Sequence, residues 1–270
     1  MKSGEQLGFI GSGRMAQAMI KGILENAYCA PDQIRCTSAT DGTGEAAATR
    51  FGISYTPDLD ALVDPSDTLI LAIKPQQLND LPSSIAEDTQ GKLIVSILAG
   101  TPLKKLQATF PKARNIVRAM PNTPGMIGHG VTAYASANTL SETDDSIAVG
   151  LLGALGKLIS LPEDKLDAVT GVSGSGPAYL FEFVAALRDG GIAAGLDSET
   201  AYTLALETTR GAAELLKQVP ETPEQHRDWV SSPGGTTLAG LGVMKSHDVR
   251  QILKDTVLAA AARSKELAQD

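Results

Sequence analysis

The stretch LGFIGSGRMAQAM, residues 7 to 19, limits the possible folds more than any other part of the chain. An apolar run meets Gly11-x-Gly13-x-x-Ala16 and then a helical pattern, the strand, turn and helix that open a dinucleotide-binding unit. Gly11 suits the tight turn, Gly13 lets backbone approach a pyrophosphate, and Ala16 allows close packing of helix on strand. A pyrophosphate would lie at the helix's positive end. Alone the motif is weak, and its weight comes from the rhythm that follows.

From residue 7 to about 160, short apolar runs (LGFI, IRC, ISY, DTLILAI, LIVSIL, NIVRAM, GVTAYA) alternate with helical stretches such as RMAQAMIKGILEN and GEAAATRF. That alternation implies an α/β Rossmann domain, a doubly wound and mainly parallel sheet with helices on its faces. DTLILAI, from Asp67 to Ile73, is apolar at nearly every position, as a central strand buried on both sides should be. After about Leu161 strand signals stop, and AYLFEFVAALRDGGIAAG, ETAYTLALETTRGAAELLKQ, TTLAGLGVMKS and DVRQILKDTVLAAAARSKELAQ read as helices. The expected organisation is therefore a nucleotide-binding domain over 1–160 and an all-helical domain over 161–270. With no flexible tether between them, the two should pack directly and leave a ligand-holding cleft.

Composition excludes several function classes. A net charge of −8 argues against a nucleic-acid or anionic-membrane partner. No segment reaches the roughly 18 apolar residues of a membrane span, and MKSGEQLGFIG lacks a signal peptide's apolar region, so the expectation is a cytoplasmic protein. Cys29 and Cys36 are too few for a disulfide framework and read as unpaired thiols. His129, His226 and His247 stand far apart without other ligands at metal spacing, so no metal site is expected.

Cofactor choice rests on the end of the second strand, where an NAD site usually offers an acid to the ribose 2′-hydroxyl. IRCTSATDGT has no acid there, and Arg35, Thr37, Ser38 and Thr40 offer donors to a 2′-phosphate. NADPH is favoured, with NADH still possible because Asp41, if turned inward, would serve NAD. Lys74-Pro75, just past the DTLILAI strand, and Asn122-Thr123, just past NIVRAM, should face the same cofactor edge.

The helical half contains two glycine-rich helix starts, VTGVSGSGPAYL and VSSPGGTTLAGL. Pro and Gly cannot sit inside a helix without penalty, but they suit its beginning, where Thr236 or Thr237 would cap and free amides would face a small anion such as a carboxylate.

Together LGFIGSGRMA, LAIKP, RAMPNTP, VTGVSGSGPAYLF, RDGGIAAGL and RDWVSSPGGTTLAGL resemble pyrroline-5-carboxylate reductases, across essentially the whole chain and in the same order. The resemblance implies NAD(P)H-dependent reduction of the cyclic imine 1-pyrroline-5-carboxylate to L-proline. It also implies a helical domain that forms a homodimer or larger oligomer. By motif, Gly11, Ser12, Gly13, Arg14 and Met15 would lie under the pyrophosphate, Ala72, Lys74 and Pro75 beside the cofactor, and Asn122 near the nicotinamide. Ser175, Gly234, Gly235, Thr236 and Thr237 would line the substrate pocket, with Thr237 closest to the imine nitrogen as the catalytic candidate. The chain departs from the family at Thr222-Pro223, where His-Pro is common, and Glu221 aligns too uncertainly to be assigned a role.

Two enzyme alternatives and one non-enzyme remain. A β-hydroxyacid dehydrogenase would need a lysine where Leu180 stands. A reductase of a related cyclic imine differs by one methylene, a weak discriminator. An NADPH-binding sensor would bind cofactor without turnover.

Overall fold

The computed structural model describes residues 5 to 268. Met1–Gly4, part of the start on which the leader reading rests, and Gln269, expected to end the tail helix, lie outside the described residues. Two compact units emerge, one comprising Met1–Ser175 with Ala259–Asp270 and the other Gly176–Leu258.

The first unit holds one eight-stranded sheet: β1 (Leu7–Ile10), β2 (Ile34–Thr37), β3 (Ser54–Tyr55), β4 (Thr68–Leu71), β5 (Leu93–Ser96), β6 (Asn115–Met120), β7 (Gly130–Ser136) and β8 (Gly156–Ser160). Their spatial order is β3-β2-β1-β4-β5-β6-β7-β8. Strands β1 to β6 run parallel, β7 is antiparallel to β6, and β8 is parallel to β7. Between them lie helices α1 (Arg14–Glu25), α2 (Thr43–Phe51), α3 (Leu59–Val63), α4 (Ile85–Asp88), α5 (Leu103–Thr109) and α6 (Glu142–Gly153), and α7 (Leu166–Val169) follows β8.

The near-continuous apolar runs of β1, β4 and β5 are buried along their whole length, which the expected central position of DTLILAI requires. Phe9, Met19, Ile20, Ile23, Ile70 and Leu151 fill the core on one face, and Leu62, Leu69, Leu71, Leu106 and Phe110 fill that on the other. Strand order reverses between β1 and β4, so the carboxyl ends of these strands flank the crevice where doubly wound sheets take their ligands.

The second unit is entirely helical: α8 (Gly176–Ala193), α9 (Ser198–Gln218), α10 (Pro223–Trp229), α11 (Thr236–Ser246) and the first part of α12 (Val249–Leu267). The last turns of α12 belong to the first unit. There Ser264 Oγ donates to Asp167 Oδ1 at 2.7 Å, and Arg118, nearly buried, meets Glu163 at 2.8 Å and Asp167 at 3.8 Å. Arg118 thus reaches from a central strand to the chain segments that close the first unit. No helix among the described residues is long and apolar enough to cross a membrane.

Candidate dinucleotide and substrate sites

Gly11 ends β1 with φ at +102°, where a side chain is strained, and its N–H donates to Thr37 O at 3.1 Å, tying the turn to the end of β2. The neighbouring Gly13 is the N-cap of α1, without a side-chain cap bond, and the space beside its Cα is open within 4 Å. Gln17 N–H bonds back to Gly13 O at 3.0 Å, so the amides of Arg14, Met15 and Ala16 precede the first helical bond and remain as donors. A cradle of this shape, open in front and lined by amides, fits a pyrophosphate.

Around that cradle the expected residues differ in what they present. Ser12 is buried, with its Oγ 3.2 Å from Thr43 Oγ1. Arg14 stands exposed on the first turn of α1, while the Met15 side chain packs on the core, leaving its backbone as the part available to a ligand. Thr37 is buried at the end of β2. Ser38 Oγ accepts from Gly44 N at 3.1 Å and donates to Ala39 O at 2.8 Å. Arg35 points elsewhere: its guanidinium turns back to Gln6 Oε1 at 3.4 Å, at the amino end of β1, so it does not join the 2′-phosphate donors. The open question at Asp41 also has an answer. Its Oδ1 accepts from Thr43 N at 3.0 Å and Thr43 Oγ1 at 2.7 Å, and these bonds hold its carboxyl below the usual range.

On the other side of the crevice, Ala72 continues β4, its N–H donating to Ile10 O at 2.9 Å. Lys74 is exposed and leads into a short 3₁₀ turn beginning at Pro75, with Gln77 Oε1 accepting from Lys74 N at 2.9 Å. Asn122 is fixed by its own loop, its Oδ1 accepting from Val131 N at 2.9 Å. The parallel arrangement brings the segments after β1, β2, β4 and β6 to one sheet edge. Ser96, at the end of β5, reaches that edge too; its terminal position on a parallel strand was the available signal.

The two glycine-rich starts differ from expectation. VTGVSGSG is not a loop with free amides: Thr170–Gly174 form one π-helical turn, and Ser175 N donates to Thr170 O at 2.8 Å. Wide turns of this kind often occur at functional sites. The VSSPGGTT segment does begin a helix, but neither threonine caps it. Gly235 is the N-cap of α11, with Thr236 and Thr237 already inside the first turn, and Gly234 takes φ +73° to make the bend. Ala239 N–H donates to Gly235 O, so the amides of Thr236, Thr237 and Leu238 precede the first helical bond. Thr222 caps α10, its Oγ1 accepting from Gln225 N at 3.3 Å. Glu221 Oε2 and His226 Nδ1 are buried without hydrogen-bond partners among the described residues, a cost that motif alignment gave no reason to expect.

Sheet order, glycine turn and amide-lined edge define a dinucleotide-binding protein of the Rossmann type. The family model described as "NADP oxidoreductase coenzyme F420-dependent" matches residues 6–100, and that described as "Pyrroline-5-carboxylate reductase dimerisation" matches residues 163–267. A pyrroline-5-carboxylate reductase from Synechocystis is 41% identical over 97% of this chain and 98% of that protein, and one from Glycine max 39% over 97% and 95%. The structure of a pyrroline-5-carboxylate reductase from Coxiella burnetii superposes with a TM-score of 0.90 at 30% identity, covering 98% of this chain and 99% of the other. The Plasmodium falciparum pyrroline carboxylate reductase, solved with NADP bound, gives 0.87 at 28%, covering 98% of each. The chain belongs to the pyrroline-5-carboxylate reductase family.

Proposed function

We infer that this chain reduces 1-pyrroline-5-carboxylate to L-proline with NADPH, and with NADH as a poorer donor. The observation that carries the reading is the pair of amide-rich helix starts: α1 at the sheet edge and α11 at the SPGGTT turn. When bound, the reduced nicotinamide supplies a hydride to the electron-poor C=N carbon. The chain's own part is binding and positioning. Gly11, Gly13 and the first amides of α1 hold the pyrophosphate; Thr37 and Ser38 lie toward the 2′-phosphate, and Ala72, Lys74, Pro75 and Asn122 flank the rest of the dinucleotide. By motif Ser175, Gly234, Gly235 and Thr236 are the substrate-binding residues, and the amides opening α11 take the carboxylate. The Thr237 hydroxyl hydrogen-bonds the ring nitrogen and fixes its orientation.

A homodimer completes the reading. Phe181, Phe183, Leu204 and Leu253 of the second unit are exposed, and an apolar groove of about 580 Å³ runs along Met244, Val249, Leu253, Val257 and Leu258. So much exposed apolar surface, within a region matching a dimerisation model, suits burial against a second copy. The working division is a nucleotide-binding domain over 1–160 and a substrate and dimerisation domain over 161–270, in a cytoplasmic protein.

The test is product analysis. Incubation with NADPH and the imine should give L-proline in one-to-one ratio with cofactor consumed. Binding of NADPH without proline formation would overturn the reductase reading.

A further inference from the structure

We propose that Thr43 sets cofactor preference by holding the Asp41 carboxylate away from the 2′ position of the adenosine ribose. The proposal rests on the reading above only in placing a nicotinamide dinucleotide at the sheet edge.

Proton accounting fixes the direction of the hydrogen bonds. An ionised carboxylate only accepts, so the single Thr43 hydroxyl proton goes to Asp41 Oδ1 at 2.7 Å. Ser12 Oγ, 3.2 Å from Thr43 Oγ1, must then donate to Thr43. The result is a relay from Ser12 in the pyrophosphate turn, through the first residue of α2, to the carboxylate in the loop after β2. Thr43 N adds a second bond to the same oxygen at 3.0 Å, so Asp41 lies against the start of α2, where a negative charge is favoured.

Consequences for the ligand follow from charge. An acid near this loop is the usual partner of the NAD ribose 2′-hydroxyl, and it repels the 2′-phosphate of NADP. Asp41 is the one acid between the end of β2 and α2, so the loop favours either cofactor according to where this carboxylate points. Clasped by Thr43, the carboxylate is committed to the start of α2, and the loop between β2 and α2 holds no other acid to oppose a phosphate. Thr43 is therefore a positioning residue that acts through Asp41.

Thr43→Val keeps the branched shape and removes the hydroxyl. Dissociation constants for NADPH and NADH, measured by titration calorimetry on the intact protein without substrate, give a readout independent of turnover. The NADPH-over-NADH preference should fall about tenfold in Thr43→Val, the scale of one hydrogen bond to a charged group. It should return to the wild-type value in Thr43→Ser and in the double variant Thr43→Val with Asp41→Asn. Asp41→Asn alone should leave NADH binding unchanged, because the held carboxylate does not serve the ribose.

Equal changes for both cofactors in Thr43→Val would overturn the proposal. So would a lowered preference that persists without the carboxylate, or a loss of NADH affinity in Asp41→Asn. If the preference shifts as expected while the protein turns over no imine, the proposal stands and the reductase reading alone fails.

Discussion

A Cβ added to Gly11 would lie 2.6 Å from the carbonyl oxygen of Ala72, so the turn after β1 and the extension of β4 touch backbone to backbone. The atoms it would meet are all backbone and cannot yield as a flexible side chain does, and the +102° φ of Gly11 adds strain of its own. Gly11→Ala should weaken NADPH binding by about tenfold or more, since 1.4 kcal/mol of displacement at the cradle already has that effect. Calorimetric titration checks it, with circular dichroism confirming that the sheet survives.

At α11 the expected effect is on turnover. Thr237→Ala should lower kcat by roughly ten- to a hundredfold, the scale on which lost substrate orientation is felt, while leaving the NADPH dissociation constant unchanged. Wild-type turnover in this variant would remove Thr237 from the mechanism.

The Arg118 cluster predicts stability instead. Arg118→Met takes the buried guanidinium away from Glu163 and from the half-buried Asp167, and should cost about 2 kcal/mol of unfolding free energy. Ser264→Ala removes one hydrogen bond and should cost about 1 kcal/mol. Urea denaturation measures both, and equal costs would contradict the central position assigned to the arginine.

Cys36 is buried in the core, and burial pushes its thiol up to about 11 from 9.0, with Cys29 pushed to about 11 for the same reason. A raised folded-state value means the unfolded chain loses these protons first. Their contribution to stability is thus present below pH 9 and is lost as pH rises toward 11. Melting temperature should fall across that interval, and the fall should shrink in Cys36→Ala.

How much of this was legible in the sequence depended on whether the signal was local. Helix α1, the glycine turn and the buried strands were plain because apolar runs and Gly-x-Gly spacing are local properties. Strand β8 was not marked: GKLIS lies at the sheet edge, mostly exposed, and has no apolar run to announce it. The reversal of β7 against β6 depends on sheet assembly rather than on GVTAYA itself. At the sites, residue types proved easier to read than their hydrogen bonds. Asp41 is visible in the sequence as an ambiguity, but only the fold shows Thr43, two positions on, bonding it, and Ser12, 31 positions before Thr43, meeting that threonine in turn. SGSG likewise has a loop's composition, yet the Ser175 amide closes a π turn on Thr170 O.

The most direct test of the central claim is the initial rate of absorbance loss at the reduced-nicotinamide band, with purified protein, NADPH and 1-pyrroline-5-carboxylate. Rapid, imine-dependent loss, faster than with NADH, is expected. Absence of any imine-dependent loss, in a protein that demonstrably binds NADPH, would contradict it.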